Sequence, residues 1–264
     1  MTGVSTPVKS LQKALGLLDR LALGDVARQG VTLSDLAREL GMPPNTAHNL
    51  LKTLVACGYA AQTGRGVYAA GSKFTQIARV QLCSEAPARE RILRELQRFV
   101  ESEGESCVCV LLVDGERVTV AAVESTQAVR VAQATVQAAP FFAKPTGRLL
   151  AALADETELK QILARHGMPG AHWDGISDET TLRRELAKLR QQGWCEVVEP
   201  DMGVVSLVWP VPDRDGSTWG VVGCYAPAYR CNATRRRELR ILLQSLAARV
   251  AAVVRSPAGP VAGA

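Results

Sequence analysis

The sequence lacks the features that mark membrane, exported and zinc-binding proteins. Its longest unbroken apolar run covers only residues 107–113, far short of the roughly 20 residues that a membrane-spanning helix needs. Residues 1–10 contain no apolar segment followed by a small-residue cleavage site, so we predict no secretory signal. Seven cysteines occur at irregular spacing without a C-x2-C pair, which argues against a zinc site and for reduced thiols in a cytoplasm.

Histidine is also scarce, and its scarcity argues against an enzyme. A cysteine nucleophile needs a neighbouring histidine as its base. Of the three histidines, His48 belongs to a short N-terminal helix, and His166 and His172 fall in one loop, where a nearby aspartate makes them a minor candidate for a metal site. Cys107 and Cys109 alternate with valines, so they are expected to be buried thiols on one strand face. We predict no catalytic residue, no metal and no cofactor.

Acidic residues are missing from one stretch of the chain. The formal net charge is +5, from 31 Lys and Arg against 26 Asp and Glu. Residues 1–82 hold nine of the bases and four of the acids, so the rest of the chain is neutral. Residues 41–82 contain four bases and no acid. A basic head on a neutral body indicates binding to a large anion, of which nucleic acid is the most common.

Apolar spacing and turn residues predict a winged helix-turn-helix at the N-terminus. Residues 8–23 and 45–57 have helical apolar spacing, and between them Thr32 is placed to cap a helix that ends at Gly41. Residues 59–70 then predict a hairpin around a glycine-rich turn. Short helices joined by a tight turn and followed by a hairpin are typical of a DNA-binding head.

The remainder of the chain predicts helices mixed with antiparallel strands. Helices are expected at 87–102, 147–153, 156–164, 178–192 and 234–254, and strands at 107–113, 117–123, 129–136, 196–198, 204–211 and 220–225. This order implies a single α+β domain. The predicted organisation is a mostly α winged helix-turn-helix domain at 1–71, a linker helix at 72–86, an α+β domain with an antiparallel sheet at 87–255, and a mobile tail at 256–264.

Short sequence runs carry a family resemblance across nearly the whole chain. In the N-terminal part these runs are LSDLA at 33–37, LGMP at 40–43, TAHNLL at 46–51 and GY at 58–59. In the C-terminal part they are GR at 147–148, RQQGW at 190–194 and PV at 210–211. With these runs the chain resembles the IclR family of bacterial transcription regulators. The resemblance implies a GAF-like C-terminal sensor for a small molecule, and a dimer or a dimer of dimers.

The helix after Gly41 presents the residues that we expect to contact DNA. A recognition helix lies in the major groove with its N-terminal part nearest the bases. Its outward positions are Asn45, Thr46, His48, Asn49 and Lys52. Asn pairs with adenine and the Thr methyl contacts thymine, whereas Lys suits a phosphate. Arg65 at the wing tip is a candidate for the minor groove or a phosphate; solvated surface is the alternative for His48, Asn49 and Arg65.

The resemblance points by position to a ligand pocket in the second domain. Its candidate residues are Phe142, Lys144, Pro145, Thr146, Glu196, Ser206, Trp209, Gly223 and Tyr225. A helix start near Thr146 offers free N–H groups to a carboxylate, Lys144 adds a positive charge, and Glu196 is placed to accept a bond from a hydroxyl or an amine. Several positions that are small in relatives are aromatic here, so these rings either fill the pocket or stack on a ligand ring.

Three functions remain open at this stage. The first is a cytoplasmic, sequence-specific DNA-binding regulator on a pseudo-palindromic operator, whose affinity is modulated by a small organic acid, aromatic rather than of two or three carbons. The second is a constitutive DNA-binding regulator whose sensor pocket is plugged by Phe141, Phe142, Trp209 and Tyr225. The third is an enzyme with an appended DNA-binding head, which needs a histidine within reach of a cysteine. No membrane partner is expected.

Overall fold

The computed structural model describes residues 8–25, 30–74, 76–77, 86–132, 139–213 and 216–255. The chain separates into two compact units, Met1–Ala78 and Arg79–Ala264. The expected tail at 256–264 lies outside the described residues. No helix in the described ranges is long and apolar enough to cross a membrane.

The first unit folds as the predicted winged helix-turn-helix. Its elements are α1 (Lys9–Leu23), β1 (Val31–Thr32), α2 (Leu33–Glu39), α3 (Pro44–Ala56), β2 (Ala60–Gly64) and β3 (Val67–Ala70), with the strands in the order β1-β3-β2. The three helices share a core in which Leu17, Leu36 and Leu51 are fully buried. Thr32 caps α2 as predicted, because its Oγ1 accepts a hydrogen bond from the Asp35 amide at 3.2 Å.

Two tight turns determine where α3 begins and where the wing hairpin reverses direction. Gly41 has a φ of 58°, a left-handed conformation that glycine adopts without strain, and it ends α2 sharply. Pro44 then occupies the first turn of α3, where its missing N–H costs no intrahelical bond. The wing turn is tighter than predicted, since β2 extends to Gly64 and only Arg65 and Gly66 remain at the tip.

The second unit is an α+β domain built on a five-stranded antiparallel sheet, which confirms the predicted fold class. Its strands are β4 (Ser106–Val113), β5 (Glu116–Val123), β6 (Cys195–Glu199), β7 (Val204–Pro212) and β8 (Thr218–Pro227), in the order β5-β4-β8-β7-β6. Its helices are α4 (Ala86–Glu103), α5 (Pro145–Leu153), α6 (Glu156–His166), α7 (Glu179–Gln192) and α8 (Ala233–Arg255).

Helices cover both faces of this sheet, so each strand contributes to two cores. On one face α4 packs on β4 and β5, and α8 packs on β7 and β8. On the other face α5 packs on β4, β6, β7 and β8, with α6 and α7 against it. Because successive side chains on a strand point to opposite faces, Cys107 and Cys109 enter the core under α4 and α8, while Val108 enters the core under α5.

Two predicted elements differ in the structure. Residues 129–132 of the expected strand 129–136 are not in a strand, and residues 133–138 lie outside the described residues. Ser106 Oγ donates a hydrogen bond to the Val131 carbonyl at 3.0 Å, so a side chain and not a strand ladder attaches this segment to the sheet. Of the expected linker helix at 72–86, residues 72–74 and 76–77 are helical, residues 75 and 78–85 are not among the described residues, and Ala86 begins α4.

Candidate functional site

One face of α3 carries the polar residues that we expect to contact DNA. Asn45, His48, Asn49 and Lys52 are exposed and follow the i, i+3, i+4, i+7 spacing of one helix face, and Thr46 beside them is half-buried. Ala47, Leu51 and Leu54 point into the core and thereby fix which face is outward. The structure therefore brings the predicted DNA-contacting residues of α3 to one solvent-facing surface.

Lys52 of α3 and Arg65 of the wing turn are exposed cations that have no acidic partner among the described residues. Two other cations of the first unit are already neutralised. Arg20 Nε lies 2.5 Å from Glu39 Oε2, and Arg38 pairs with Asp35 one helical turn away. An unpaired exposed cation keeps its charge for a phosphate, which suits Lys52 on the helix and Arg65 on the wing.

In the second unit, four polar side chains meet where α5 begins above the sheet. This buried polar cluster consists of Arg117 from β5, Thr146 from the first turn of α5, Ser206 from β7 and Tyr225 from β8. Ser206 and Tyr225 stand directly opposite each other in the β7–β8 ladder. Thr146, Ser206 and Tyr225 are exposed by only 1%, 0% and 1%, and the Arg117 Nη1 atom donates to Thr146 Oγ1 at 3.2 Å.

Two hydroxyls of the cluster lack a partner of good hydrogen-bond geometry among the described residues: Ser206 Oγ, and Tyr225 Oη, beside which the Thr146 hydroxyl lies. Burial raises the pKa of Tyr225 well above its usual range, while its neighbours Arg117 and Thr146 oppose that rise, so the phenol is neutral at physiological pH. A buried polar group without a partner costs about 1–3 kcal/mol. A pair of such hydroxyls side by side is suited to a polar ligand or a buried water.

Two glycines let α5 approach the sheet and the preceding turn closely. A Cβ on Gly223 would lie 3.0 Å from Val208 Cγ2 and 3.8 Å from Thr146 Cγ2. A Cβ on Gly147 would lie only 1.8 Å from the Phe141 carbonyl oxygen. The structure therefore places Gly223 next to Thr146, and Gly147 allows the close approach of α5 that brings Thr146 there.

Lys144 reaches this region with its charge already neutralised. Its Nζ lies 2.9 and 2.7 Å from the two carboxylate oxygens of Glu199, and the two side chains are only 7% and 23% exposed. Glu199 was not predicted. Strand alternation was the available signal, because Cys195, Val197 and Glu199 of β6 share the face that packs against α5.

The structure does not bring Glu196 and Trp209 to the cluster, which corrects the predicted set. Glu196 pairs in register with Leu207, whose side chain enters the core under α4 and α8, and its Oε1 lies 3.4 Å from Arg236 Nε of α8. Trp209 packs against the same core. Glu196 lies between Cys195 and Val197, and Trp209 follows Val208, all of which face α5. Because successive side chains of a strand point to opposite faces, Glu196 and Trp209 face away from α5.

The buried phenylalanines already have aromatic partners within the protein. The rings of Phe141 and Phe142 lie 5.1 Å apart, Phe141 stacks on His166 at 4.7 Å, and Phe142 lies 6.3 Å from Trp173. Pro145, at the first position of α5, is buried with them. These rings fill the space beside the cluster by packing on one another.

The cysteines and histidines that were considered for catalysis lie in different surroundings. Cys107 and Cys109 are fully buried on one strand face, as predicted, and burial raises the pKa of the Cys107 thiol well above its usual range. The His166 Nε2 atom lies 2.9 Å from the Gly115 carbonyl oxygen, and His172 is exposed. The described part of the chain holds no group of three or more side chains arranged to bind a metal ion.

Comparison with known proteins gives matches along the chain. Residues 10–64 match the IclR helix-turn-helix domain, and residues 80–252 match the bacterial transcriptional regulator IclR C-terminal domain. The transcriptional repressor IclR of Escherichia coli (strain K12) is 26% identical over 242 residues, which cover 88% of this chain and 84% of the relative. The regulator KdgR of the same organism is 26% identical over 254 residues, which cover 93% and 92%.

A solved structure supports the same fold. The crystal structure of the Thermotoga maritima IclR is similar with a TM-score of 0.55 and 21% identity, and the match covers 94% of this chain and 99% of that one. At this identity the likeness shows the fold alone. The two domain matches span most of the sequence and confirm the predicted resemblance, so the chain belongs to the IclR family and is a DNA-binding transcriptional regulator.

Proposed function

We propose that this regulator binds a specific operator through α3 and the wing, and that a small organic acid bound at the buried polar cluster changes its operator affinity. The effector part of the proposal rests on the two buried hydroxyls of Ser206 and Tyr225, which lack a partner of good hydrogen-bond geometry among the described residues. They face the first turn of α5, whose N-terminal N–H groups and dipole favour a negative charge.

In this proposal the exposed face of α3 reads the operator in the major groove. Asn45, Thr46, His48 and Asn49 contact base edges, because they lie toward the N-terminal half of the helix. Lys52 and Arg65 bind phosphates or the minor groove, because their charges are not neutralised within the protein. One small head buries too little surface for tight specific binding, so we propose at least a dimer on a pseudo-palindromic operator in the cytoplasm.

The second candidate function is a constitutive regulator with a plugged sensor. The deep burial of Phe141, Phe142 and Tyr225 favours it, because these rings occupy space that a ligand would otherwise use. A dry aromatic plug does not need hydroxyls, however, and it would leave Ser206 and Tyr225 unsatisfied at a cost in stability. We therefore give the effector-responsive function priority. We propose no catalytic activity, since the named relatives are transcriptional regulators.

The effector proposed here is a small acid without a required aromatic ring. The sequence-based preference for an aromatic acid depended on four rings. One of them, Trp209, lies on the face of the sheet opposite the buried polar cluster. Phe141 and Phe142 pack on other rings of the protein and offer no open face that we can assign to a ligand. The remaining ring of the four is Tyr225, whose hydroxyl makes it a hydrogen-bonding group.

The proposal is tested in two steps on the full chain. Selection from a pool of randomised duplexes yields the operator, and thermal denaturation is then followed with a panel of small carboxylic acids. At least one acid should raise the melting temperature and change operator affinity by about 5- to 150-fold, the usual range of allosteric coupling. If operator binding is specific and no acid has either effect, the constitutive alternative holds. If no sequence is enriched, the proposed reading face of α3 is refuted.

A further inference from the structure

Arg117 brings a positive charge into the buried polar cluster, and no carboxylate of the described residues pairs with it. Its two Nη atoms donate to Thr146 Oγ1 at 3.2 Å and to the Ala139 carbonyl, and its guanidinium lies over the Phe141 ring at 5.9 Å. All three contacts are with neutral groups. The guanidinium therefore has hydrogen bonds and packing but no counter-charge within this set.

The acidic neighbour of Arg117 in sequence is already engaged elsewhere. Glu116 Oε1 lies 3.2 Å from Arg165 Nη1, and Glu116 Oε2 lies 3.5 Å from His166 Nε2. Glu199, the acid nearest to α5 along β6, holds both its oxygens on Lys144. Lys144, next to the cluster, is thus a cation with a carboxylate partner, and Arg117 within the cluster is one without such a partner among the described residues.

Two other half-buried arginines of the same domain have carboxylate partners, whereas Arg148 bonds to two carbonyl oxygens. Arg230 makes two bonds to Glu105, at 2.7 and 2.8 Å, and Arg235 lies 3.0 Å from Glu103. Removing a guanidinium from water is costly unless a negative charge compensates it. Burial accordingly lowers the pKa of Arg117, and Tyr225 and Glu116 offset only part of that effect. The environment of Arg117 is short of negative charge.

We infer that Arg117 is the residue that binds the carboxylate of the effector. This inference rests on the proposed function and adds the group that recognises the acid. A guanidinium offers parallel N–H donors that match the two oxygens of a carboxylate, and the donors of Arg117 beyond the two already engaged have no partner among the described residues. A carboxylate there supplies the missing counter-charge.

The neighbouring hydroxyls narrow the chemistry of the acid further. Ser206 and Tyr225 each present a hydroxyl that needs a partner. Both lie on the face of the sheet that α5 covers, and Thr146 of α5 contacts Arg117 there. An acid that also carries an oxygen or nitrogen group satisfies these hydroxyls, whereas a purely hydrocarbon tail leaves them unpaired. The predicted ligand class is a small polar acid, with the carboxylate on Arg117.

The test compares acids with their neutral amides on the full-length protein. The probes are sodium acetate, lactate, pyruvate, benzoate and 4-hydroxybenzoate, each beside its amide, and binding is measured by calorimetry. The variants are Arg117→Met, which keeps the stem and removes the charge, and Arg117→Lys, which keeps the charge and loses the paired donors. Arg148→Met is the matched control, because Arg148 is also half-buried, bonds to two carbonyls at 2.8 Å and lies over the Trp173 ring.

We expect the acid that binds the wild type to lose about 10- to 100-fold in affinity in Arg117→Met, less in Arg117→Lys, and less than about twofold in Arg148→Met. The amide of that acid should bind the wild type weakly, and its affinity should fall little further in Arg117→Met. Circular dichroism establishes that each variant is folded. An acid that binds Arg117→Met as tightly as the wild type overturns the role of Arg117 and leaves the proposed function standing. If no acid binds the wild type, the effector proposal itself fails, and this inference fails with it.

Discussion

At the scale of single residues, the proposed function depends on groups that lack a partner among the described residues. Lys52 and Arg65 keep exposed charges without acidic partners among the described residues, whereas Arg20 is bound to Glu39. In the second domain, Ser206 has no hydrogen-bond partner in the described ranges, whereas Ser106 donates a hydrogen bond to the Val131 carbonyl. A buried hydroxyl without a partner costs stability in the free protein, and a ligand that satisfies it recovers that cost. The exposed cations are hydrated and remain free to contact phosphates.

Lys52→Ala and Asn49→Ala should have different effects on DNA binding. Loss of Lys52 should weaken binding to all sequences and reduce the salt dependence by about one released counterion, because a phosphate contact carries no sequence information. Loss of Asn49 should mainly reduce discrimination, by about 1–3 kcal/mol for a lost base contact. Fluorescence anisotropy on operator and scrambled duplexes at several salt concentrations measures both. Unchanged affinity for both duplexes in both variants would mean that another surface binds DNA.

Ser206→Ala and Ser106→Ala form a matched pair for the buried polar cluster. Both serines are buried and both stand opposite Tyr225 in a strand ladder. Ser206→Ala removes an unsatisfied hydroxyl, so the free energy of unfolding without ligand should stay the same or rise, and acid affinity should fall by about 0.5–1.5 kcal/mol. Ser106→Ala breaks the bonds to Val131 and Ser125 and should destabilise by about 1–3 kcal/mol.

Urea denaturation with and without the acid separates these two effects. A Ser206→Ala variant that is destabilised as much as Ser106→Ala would show that Ser206 has a structural partner. In that case the hydroxyl pair would no longer support a ligand site.

At the scale of elements, periodicity predicted most of the fold, and the strand faces were where sequence reasoning failed. The cap at Thr32 and the sharp stop at Gly41 follow from local chemistry, so they were predictable. The face of a strand residue depends on register with its neighbours, which the sequence alone does not show. Glu196 and Trp209 were therefore included in the predicted site although their side chains lie on the opposite face of the sheet, and Arg117 and Glu199 were missed.

The close approach of α5 predicts how substitutions at two glycines differ. Gly147→Ala would place a Cβ 1.8 Å from the backbone oxygen of Phe141, so it should destabilise by several kcal/mol or prevent folding. Gly223→Ala meets Val208 Cγ2 at 3.0 Å, and a smaller loss of about 1–3 kcal/mol is expected. Gly16→Ala in α1, whose Cβ would lie 3.5 Å from Leu40 Cδ2, is the control and should stabilise by about 0.5–1 kcal/mol.

Thermal denaturation ranks these three variants. Equal melting temperatures for Gly147→Ala and Gly16→Ala would contradict the tight packing at the start of α5. The same result would remove the reason for placing Thr146 beside the sheet.

At the scale of the whole molecule, charge and assembly decide how the regulator meets DNA. All of the net positive charge lies within residues 1–82, so operator affinity should fall steeply as salt rises. A single winged head contacts a short stretch of duplex, and tight specific binding requires two heads on a pseudo-palindrome. Light scattering at micromolar concentration should therefore report at least a dimer. A monomer both with and without operator DNA would contradict this assembly.

The central claim is that occupancy of the buried polar cluster changes operator affinity, and a titration of operator binding against the bound acid tests it most directly. We predict that saturating acid changes the operator Kd of the wild type by at least about fivefold. In Ser206→Ala the same change should occur at a higher acid concentration, with operator affinity in the absence of acid unaltered. An acid that binds the protein by calorimetry and leaves the operator Kd unchanged at saturation would contradict the account.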